Sequence, residues 1–261
     1  MEVDGRFVDI GGRTLYARTT GRGPTVVLNS GAGREGVGSW STIELPVSEF
    51  VTVVTYDRAG LGRSPPPPAP PTALDMAKDL RGLLLALDIP RPVLLVGSSM
   101  SALMVQLYAC EYPEDVRGLL LLDPTPDDSL VGFGNQTLVV QETMRSAMLI
   151  NAKKAGMNDA AVQELHSIFE SCEQVRRAVV DDKRMPDIEF VVVTASIPSD
   201  VGGRIGKVNL GQAHKRMVDR LPRGRHLFAE KSSHRTIIAE DAALIVDVIR
   251  SMLEASSGHK N

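Results

Sequence analysis

The chain has 261 residues, of which 43% are hydrophobic, and a formal net charge of −3 at pH 7. This length and apolar content suffice for one substantial core, so we expect a single large α/β domain. The slightly acidic balance provides no basic surface for phosphates, which argues against nucleic acid as a partner.

No stretch of the sequence has an apolar run as long as a signal peptide or a membrane span, so we expect a cytoplasmic protein without a membrane partner. The two cysteines, Cys110 and Cys172, lie in helix-like segments without CxxC spacing. A zinc or redox motif is therefore not indicated, and we interpret both residues as buried free thiols.

Seven short β-rich runs alternate with helical patterns. They are RTLYART (13–19), PTVVLNS (24–30), FVTVVTYD (50–57), PVLLVGS (92–98), VRGLLLLD (116–123), EFVVVTAS (189–196) and GRHLFAE (224–230). Most of the middle runs are apolar throughout, which is typical of parallel strands covered on both faces. Helical stripes over 76–87 and 242–253, and a nearly all-apolar helix over 100–109, complete the alternation. The pattern predicts a doubly wound, mostly parallel sheet.

The interval between the run that ends at residue 123 and the run that begins at residue 189 is far longer than a single crossover helix needs. It carries a short apolar stripe around Met144 and Met148, and a long one from Val162 to Val179. A helical excursion from the carboxyl end of a central strand would lie over the ligand-binding edge of the sheet. We therefore predict a helical cap at 124–186, inserted into a core formed by 1–123 and 187–261.

The segment GSSMS, residues 97–101, follows a predicted strand and opens the buried helix. A nucleophile elbow has this layout, with the serine at the apex of a sharp turn and the next N–H group, here that of Met100, facing the developing oxyanion. Ser99 occupies that apex. Ser101 stands where the pattern has glycine, and we expect crowding there rather than failure. Taken alone, the segment is equally compatible with a serine that only caps a helix.

Four further segments resemble the α/β-hydrolase superfamily over almost the whole chain. TVVLNSGAG (25–33) is similar to the family's oxyanion loop, although Ser30 stands where many members have histidine. VVTYDRAGLGRS (53–64) and ACEYPEDVRGLLLLDP (109–124) resemble the capped single-domain branch, and HLFAEKSSHRTIIAEDAALIVDVIRSML (226–253) resembles its last strand, histidine loop and final helix. The resemblance implies that the Ala32 N–H is the second oxyanion donor, that His234 is the base, and that the cap follows the sixth strand.

Of the five histidines, only His234 lies in a short polar loop after a strand, and a serine hydroxyl needs such a base within hydrogen-bond reach. The family order of serine, acid and histidine leaves two candidates for the acid. Asp123 ends a central strand directly, at the sixth-strand end that some related members use. Asp200 follows the seventh strand, where most members carry the acid, but the usual glycine-x-x-aspartate turn is missing. We favour Asp123 and keep Asp200 as the alternative.

The sequence thus predicts a serine hydrolase that cleaves a small or medium hydrophobic ester, lactone or thioester through an acyl-enzyme, without a metal or organic cofactor. Met144 and Met148 are candidates to line a flexible apolar pocket, although ordinary core packing would explain them equally well. Two alternatives remain open: C–C bond hydrolysis or cofactor-free oxygen chemistry on the same scaffold, and a small-molecule receptor that has lost turnover.

Overall fold

The computed structural model describes residues 5–127, 138–154, 156–197 and 210–255. They form one eight-stranded sheet with helices on both of its faces. The strands are β1 (Arg6–Asp9), β2 (Thr14–Gly21), β3 (Thr25–Asn29), β4 (Thr52–Asp57), β5 (Val93–Ser98), β6 (Val116–Leu122), β7 (Glu189–Ile197) and β8 (Gly224–Ser233). All seven predicted runs are strands of this sheet.

The spatial order of the strands is β1-β2-β4-β3-β5-β6-β7-β8. Strands β3 to β8 are mutually parallel, whereas β1 and β2 form an antiparallel extension at one edge. The order reverses between β3 and β5, and in such sheets ligands bind outside the carboxyl ends of the strands at this reversal. The predicted fold class, a doubly wound and mostly parallel sheet, is confirmed.

Helices connect the parallel strands and cover both faces of the sheet. They are α1 (Gly36–Ser39), α2 (Ser41–Ser48), α3 (Ala73–Ala86), α4 (Ser101–Glu111), α5 (Leu138–Lys154), α6 (Asp159–His166), α7 (Ile168–Val175), α8 (Leu210–Asp219), α9 (Ile237–Glu240) and α10 (Ala242–Ala255). A short 3-10 turn precedes β6, and a π-helical turn, Arg176–Asp181, continues α7. Within the described ranges, no helix is long and apolar enough to cross a membrane.

Two apolar layers sandwich the sheet. Val27, Leu95 and Leu119 point into the layer that contains α3, α4 and α7, whereas their neighbours Val26 and Leu94 point into the layer that contains α2 and α10. Because both faces are covered, the central strands carry mostly apolar side chains on both faces. Helix α4 is buried almost entirely, as predicted from its all-round apolar surface.

Part of the long stripe assigned to the predicted cap packs with the core. Ile168, Cys172 and Val175 of α7 are buried in the same cluster as α3 and α4, so this helix packs against that core layer. It belongs to the connection that the parallel strands β6 and β7 require. The other helices of the predicted cap are α5 and α6.

Both cysteines are free and buried, as predicted. Burial raises the pKa of the Cys110 thiol to about 12 and raises that of Cys172 as well. Thiols with pKa values this far above neutrality carry almost no thiolate, so neither residue is a competing nucleophile.

Candidate active site

Ser99 lies in the turn between β5 and α4, with a left-handed backbone φ of +56°. Its N–H donates to the Leu122 carbonyl at 3.0 Å, and its own carbonyl accepts from the Thr125 N–H at 3.0 Å, so the end of β6 holds the turn on both sides. A side chain on Gly97 would stand 2.9 Å from Cγ2 of Val105. Glycine there lets α4 approach the strand closely enough to form the sharp turn.

His234 lies in the turn between β8 and α9, where the Ser233 N–H donates to the Thr236 hydroxyl at 3.0 Å. The His234 Nε2 atom stands 3.0 Å from the Ser99 Oγ atom. Its side chain is 19% exposed, so the ring is only partly covered. The structure therefore brings together the serine and histidine that the sequence singles out.

Asp123 directly follows β6 and also has a left-handed backbone, with φ at +42°. Its Oδ2 atom lies 2.6 Å from Nδ1 of His234, and its Oδ1 atom accepts from the Ala195 N–H at 3.1 Å. The Asp123 N–H in turn donates to the Val193 carbonyl at 2.7 Å. The carboxylate is thus fixed from β7 as well as from β6. The alternative acid, Asp200, lies outside the described residues.

The hydrogen bonds determine the tautomer of His234. A carboxylate accepts only, so the Asp123 Oδ2 atom requires a proton on Nδ1 of His234. With that proton in place, Nε2 of the neutral imidazole is an acceptor and faces the Ser99 hydroxyl. This arrangement lets the ring take the hydroxyl proton, which is the task of a general base.

The loop after β3 runs alongside Ser99. The Cβ position of Gly31 lies only 3.2 Å from Cβ and 3.9 Å from Oγ of Ser99. The N–H groups of Ala32 and Met100, the two predicted oxyanion donors, make no hydrogen bond to any of the residues that the structure describes. Two unpaired backbone donors beside a serine are what stabilisation of an oxyanion requires.

Ser30 takes over a structural task in this loop, where many α/β-hydrolases carry histidine. Its hydroxyl accepts from the Trp40 indole N–H at 3.0 Å and donates to the Glu35 carbonyl at 3.2 Å. Trp40 is fully buried, so the loop is tied to the core layer that contains α2. No local pattern in the sequence indicates this contact.

Ser101 does not crowd the elbow, contrary to the sequence-based expectation. Its side chain is fully buried, and its hydroxyl accepts from the Ser98 N–H at 2.9 Å. The same oxygen lies 2.7 Å from the Asn29 carbonyl oxygen and 2.9 Å from that of Ser98, either of which can accept its proton. The hydroxyl therefore links β3 to the elbow, where glycine would provide no such bond.

We expect Ser101→Gly to lower the free energy of unfolding by about 1–3 kcal/mol, because buried donors and acceptors lose their partner. Turnover per folded molecule should stay within about tenfold, since the hydroxyl contacts no reacting atom. Urea unfolding with parallel rate measurements checks both expectations. Ser101→Ala is the matched control, because it removes the hydroxyl without adding backbone freedom. Unchanged stability would contradict the assigned role.

Two further histidines flank the acid and were not identified from the sequence. The Thr194 hydroxyl lies 2.7 Å from Nδ1 of His214 and 2.7 Å from Nε2 of His226. His214 Nε2 lies 2.8 Å from the Pro124 carbonyl oxygen, to which it must donate. Nδ1 of neutral His214 therefore accepts from Thr194. His214 thus supports the residue after Asp123, and its position inside helix α8 gave no signal of this.

Burial lowers the pKa of His214, although its bond to the Pro124 carbonyl opposes the shift. The unfolded chain takes up this proton near the ordinary value of 6.5, whereas the folded chain does so only at lower pH. Stability should therefore be fully present above pH 6.5 and decline below it, by up to about 1.4 kcal/mol per pH unit. Urea unfolding at several pH values should show a shallower decline for His214→Gln. The same substitution at the exposed His166 provides the control. An identical decline in His214→Gln and the wild type would contradict the expectation.

The predicted pocket residues lie on α5. Met148 is partly buried against the core layer that also contacts Ala32, whereas the side chain of Met144 lies outside what the structure describes. Among the described residues, no group of three or more histidine, cysteine, aspartate or glutamate side chains is arranged to hold a metal ion.

Comparisons with known proteins agree with this architecture. The chain is 36% identical over 106 residues to an uncharacterised protein of Bacillus subtilis, YqjL, covering 41% of this chain and 42% of that one. It is 32% identical over 121 residues to a 2-(acetamidomethylene)succinate hydrolase of Mesorhizobium japonicum, covering 46% and 43%. The chain thus spans less than half the length of these curated relatives.

A solved structure extends the similarity to the whole fold. A thermophilic esterase from Thermogutta terrifontis superimposes with a TM-score of 0.71 at 17% identity, over 97% of this chain and 99% of that one. The family model described as the alpha/beta hydrolase fold matches residues 24–149, which include β3 to β6 and the turn that carries Ser99. The chain has the alpha/beta hydrolase fold, and its residues 24–149 match that family in sequence.

Proposed function

We propose that this protein is a serine hydrolase that cleaves a small or medium hydrophobic ester, lactone or thioester through an acyl-enzyme. One observation carries the proposal: an unbroken hydrogen-bonded chain runs from Ser99 Oγ through His234 to Asp123, with distances of 3.0 Å and 2.6 Å. These three hydrogen-bonded residues lie at the carboxyl ends of the parallel strands, where sheets of this type bind ligands.

The proposed reaction begins when Nε2 of His234 takes the Ser99 hydroxyl proton and Oγ attacks the substrate carbonyl carbon. Asp123 stabilises the imidazolium that forms, and the N–H groups of Ala32 and Met100 stabilise the negative oxygen. The intermediate collapses to the acyl-enzyme while His234 gives its proton to the leaving oxygen or sulfur. Water, with its proton taken by His234, then attacks the acyl group in the same way, which releases the acid and restores the free serine.

The proposed preference for hydrophobic substrates rests on Met148 of α5, which packs on the same apolar layer as Ala32, and on Ala161 of α6, which lies against Gly33. We propose that the part of the insertion before α7 acts as the cap, with Met148 lining the acyl site and Met144 retained as the second candidate from the sequence. The similarity to an esterase and to a hydrolase of an acyclic succinate derivative is consistent with carbonyl substrates. We further propose that the protein works in the cytoplasm without a metal or organic cofactor.

A panel of p-nitrophenyl esters of increasing acyl length, with lactones and thioesters beside it, tests the proposal. We expect turnover of at least one class, with a rate that passes through an optimum in acyl length. An absence of turnover on all three classes would contradict the proposal. If Ser99 still proved reactive, that result would favour C–C bond hydrolysis or cofactor-free oxygen chemistry. If Ser99 proved unreactive, the result would favour a small-molecule receptor.

A further inference from the structure

A buried ion pair, separate from the Ser99–His234–Asp123 chain, joins the strand edge to α6. Arg58 follows β4 and Glu164 lies on α6, and their side chains are only 5% and 1% exposed. Nε of Arg58 lies 2.6 Å from Oε1 of Glu164, and Nη2 lies 3.0 Å from Oε2. Two parallel bonds of this kind fix the relative orientation of both groups as well as their distance.

The same pair holds the backbone on both sides of Ala32. Arg58 donates through Nη1 to the Ser30 carbonyl at 2.5 Å and through Nη2 to the Gly31 carbonyl at 2.9 Å. Oε2 of Glu164 accepts from the Gly33 N–H at 3.0 Å. Each of these bonds is made to the loop that carries the proposed oxyanion donor.

Peptide geometry converts these contacts into control of one N–H vector. The Gly31 carbonyl and the Ala32 N–H belong to the same planar trans peptide, so they point in opposite directions. When Arg58 fixes the carbonyl, it also fixes the direction of the Ala32 N–H. The bond from the Gly33 N–H to Glu164 restrains the next peptide in the same way. Ala32 is therefore held from both sides while its own N–H stays unpaired.

The loop is also shaped to receive α6. Gly33 has a left-handed φ of +68°, and a side chain there would stand 2.4 Å from Cβ of Ala161. Only glycine permits both this backbone conformation and this close approach. Helix α6 thus lies directly on the loop, and Glu164 reaches under it to Arg58.

We infer that Arg58 and Glu164 are positioning residues that aim the Ala32 N–H at the oxyanion, so that the oxyanion hole is complete only while α6 is docked on the loop. The inference rests on the proposed function. Burial of an ion pair is costly unless its hydrogen-bonding capacity is used, and here the backbone of the loop uses it.

The test compares Glu164→Gln with Glu44→Gln. Glu44 is also buried and pairs with an arginine, Arg18, but it lies on α2 and contacts neither the loop nor the triad. In Glu164→Gln the amide group turns a donor toward either Arg58 or the Gly33 N–H, so either a bond to Arg58 or the bond to the loop is lost. We expect kcat to fall about 10- to 100-fold with KM changed less than about threefold, because removal of a whole oxyanion donor costs about 10²–10³.

A trifluoromethyl ketone whose tail matches the preferred ester provides the readout that a purely structural role would not move. Its hemiketal oxyanion occupies the oxyanion hole, whereas the corresponding secondary alcohol forms no oxyanion. Affinity for the ketone should fall by the same factor as kcat/KM in Glu164→Gln, and affinity for the alcohol should not change. Glu44→Gln should alter neither. If Glu164→Gln fails to fold, Arg58→Lys, which retains the charge but not the planar fork, serves for the same comparison.

If the wild type is active and Glu164→Gln matches Glu44→Gln in both kcat and ketone affinity, the inference is overturned. The proposed function would still stand. A wild type that neither hydrolyses esters nor binds the ketone would overturn the proposed function, and this inference with it.

Discussion

Ser99→Ala should reduce turnover by about 10⁵-fold or more while leaving the fold intact. Ser99 is the residue at the elbow apex, and its Oγ atom is 3.0 Å from Nε2 of His234, which is placed to accept its proton. Alanine tolerates the left-handed φ of +56° about as poorly as serine does, so the substitution adds little strain. Steady-state hydrolysis of the best ester and a thermal unfolding curve provide the two readouts.

Ser98→Ala is the matched control, because Ser98 precedes the apex as the last residue of β5 and is buried. It should keep most of the activity. Equal losses in Ser98→Ala and Ser99→Ala, with both variants folded, would remove Ser99 from the proposed role.

Asp123→Asn should lower turnover by about 10⁴-fold, because the imidazole takes the wrong tautomer. The Ala195 N–H requires an acceptor, which keeps the amide oxygen of asparagine on that side. The amide nitrogen then faces Nδ1 of His234 and can only donate to it. The proton must move to Nε2, where it points at Ser99 and prevents the ring from acting as a base. Single-turnover acylation rates measure this loss directly.

Asp200→Asn provides the comparison, because Asp200 is the acid that the seventh-strand pattern of the family suggests. We expect it to retain near wild-type rates. A loss of about 10⁴-fold in Asp200→Asn, with Asp123→Asn nearly unaffected, would show that the contact between Asp123 and His234 serves the fold rather than the chemistry.

The sheet was predictable because strands that are buried on both faces consist mostly of apolar residues, and such runs are visible in the sequence. Strands such as β5 and β6 are mostly apolar on both faces, and the turns that follow them carry polar residues. The missed strand, β1, is an edge strand of four residues with one buried side chain, Val8, so it carries no such signal. The apolar stripe that includes α7 does not by itself reveal which surface that helix covers.

The site was predictable only in part, and the parts differ in physical origin. Ser99 and His234 stand in local turns whose composition marks them, and Asp123 ends a strand that runs beside β5. The hydroxyl bridge of Ser101, the support from His214 and the Arg58–Glu164 pair depend on contacts between residues far apart in the chain. A single sequence holds no local pattern for such contacts, because they arise only when distant elements pack together.

The most direct test of the central claim is peptide mapping by mass spectrometry after reaction with an alkyl fluorophosphonate. The reagent loses fluoride to an activated serine and leaves a stable phosphonyl group on its Oγ atom. We predict one adduct, on the peptide that contains Ser99, formed rapidly in the wild type and lost in both Ser99→Ala and His234→Ala. An adduct on another serine, or no adduct on a folded wild-type protein, would contradict the claim that Ser99 is a nucleophile activated by His234.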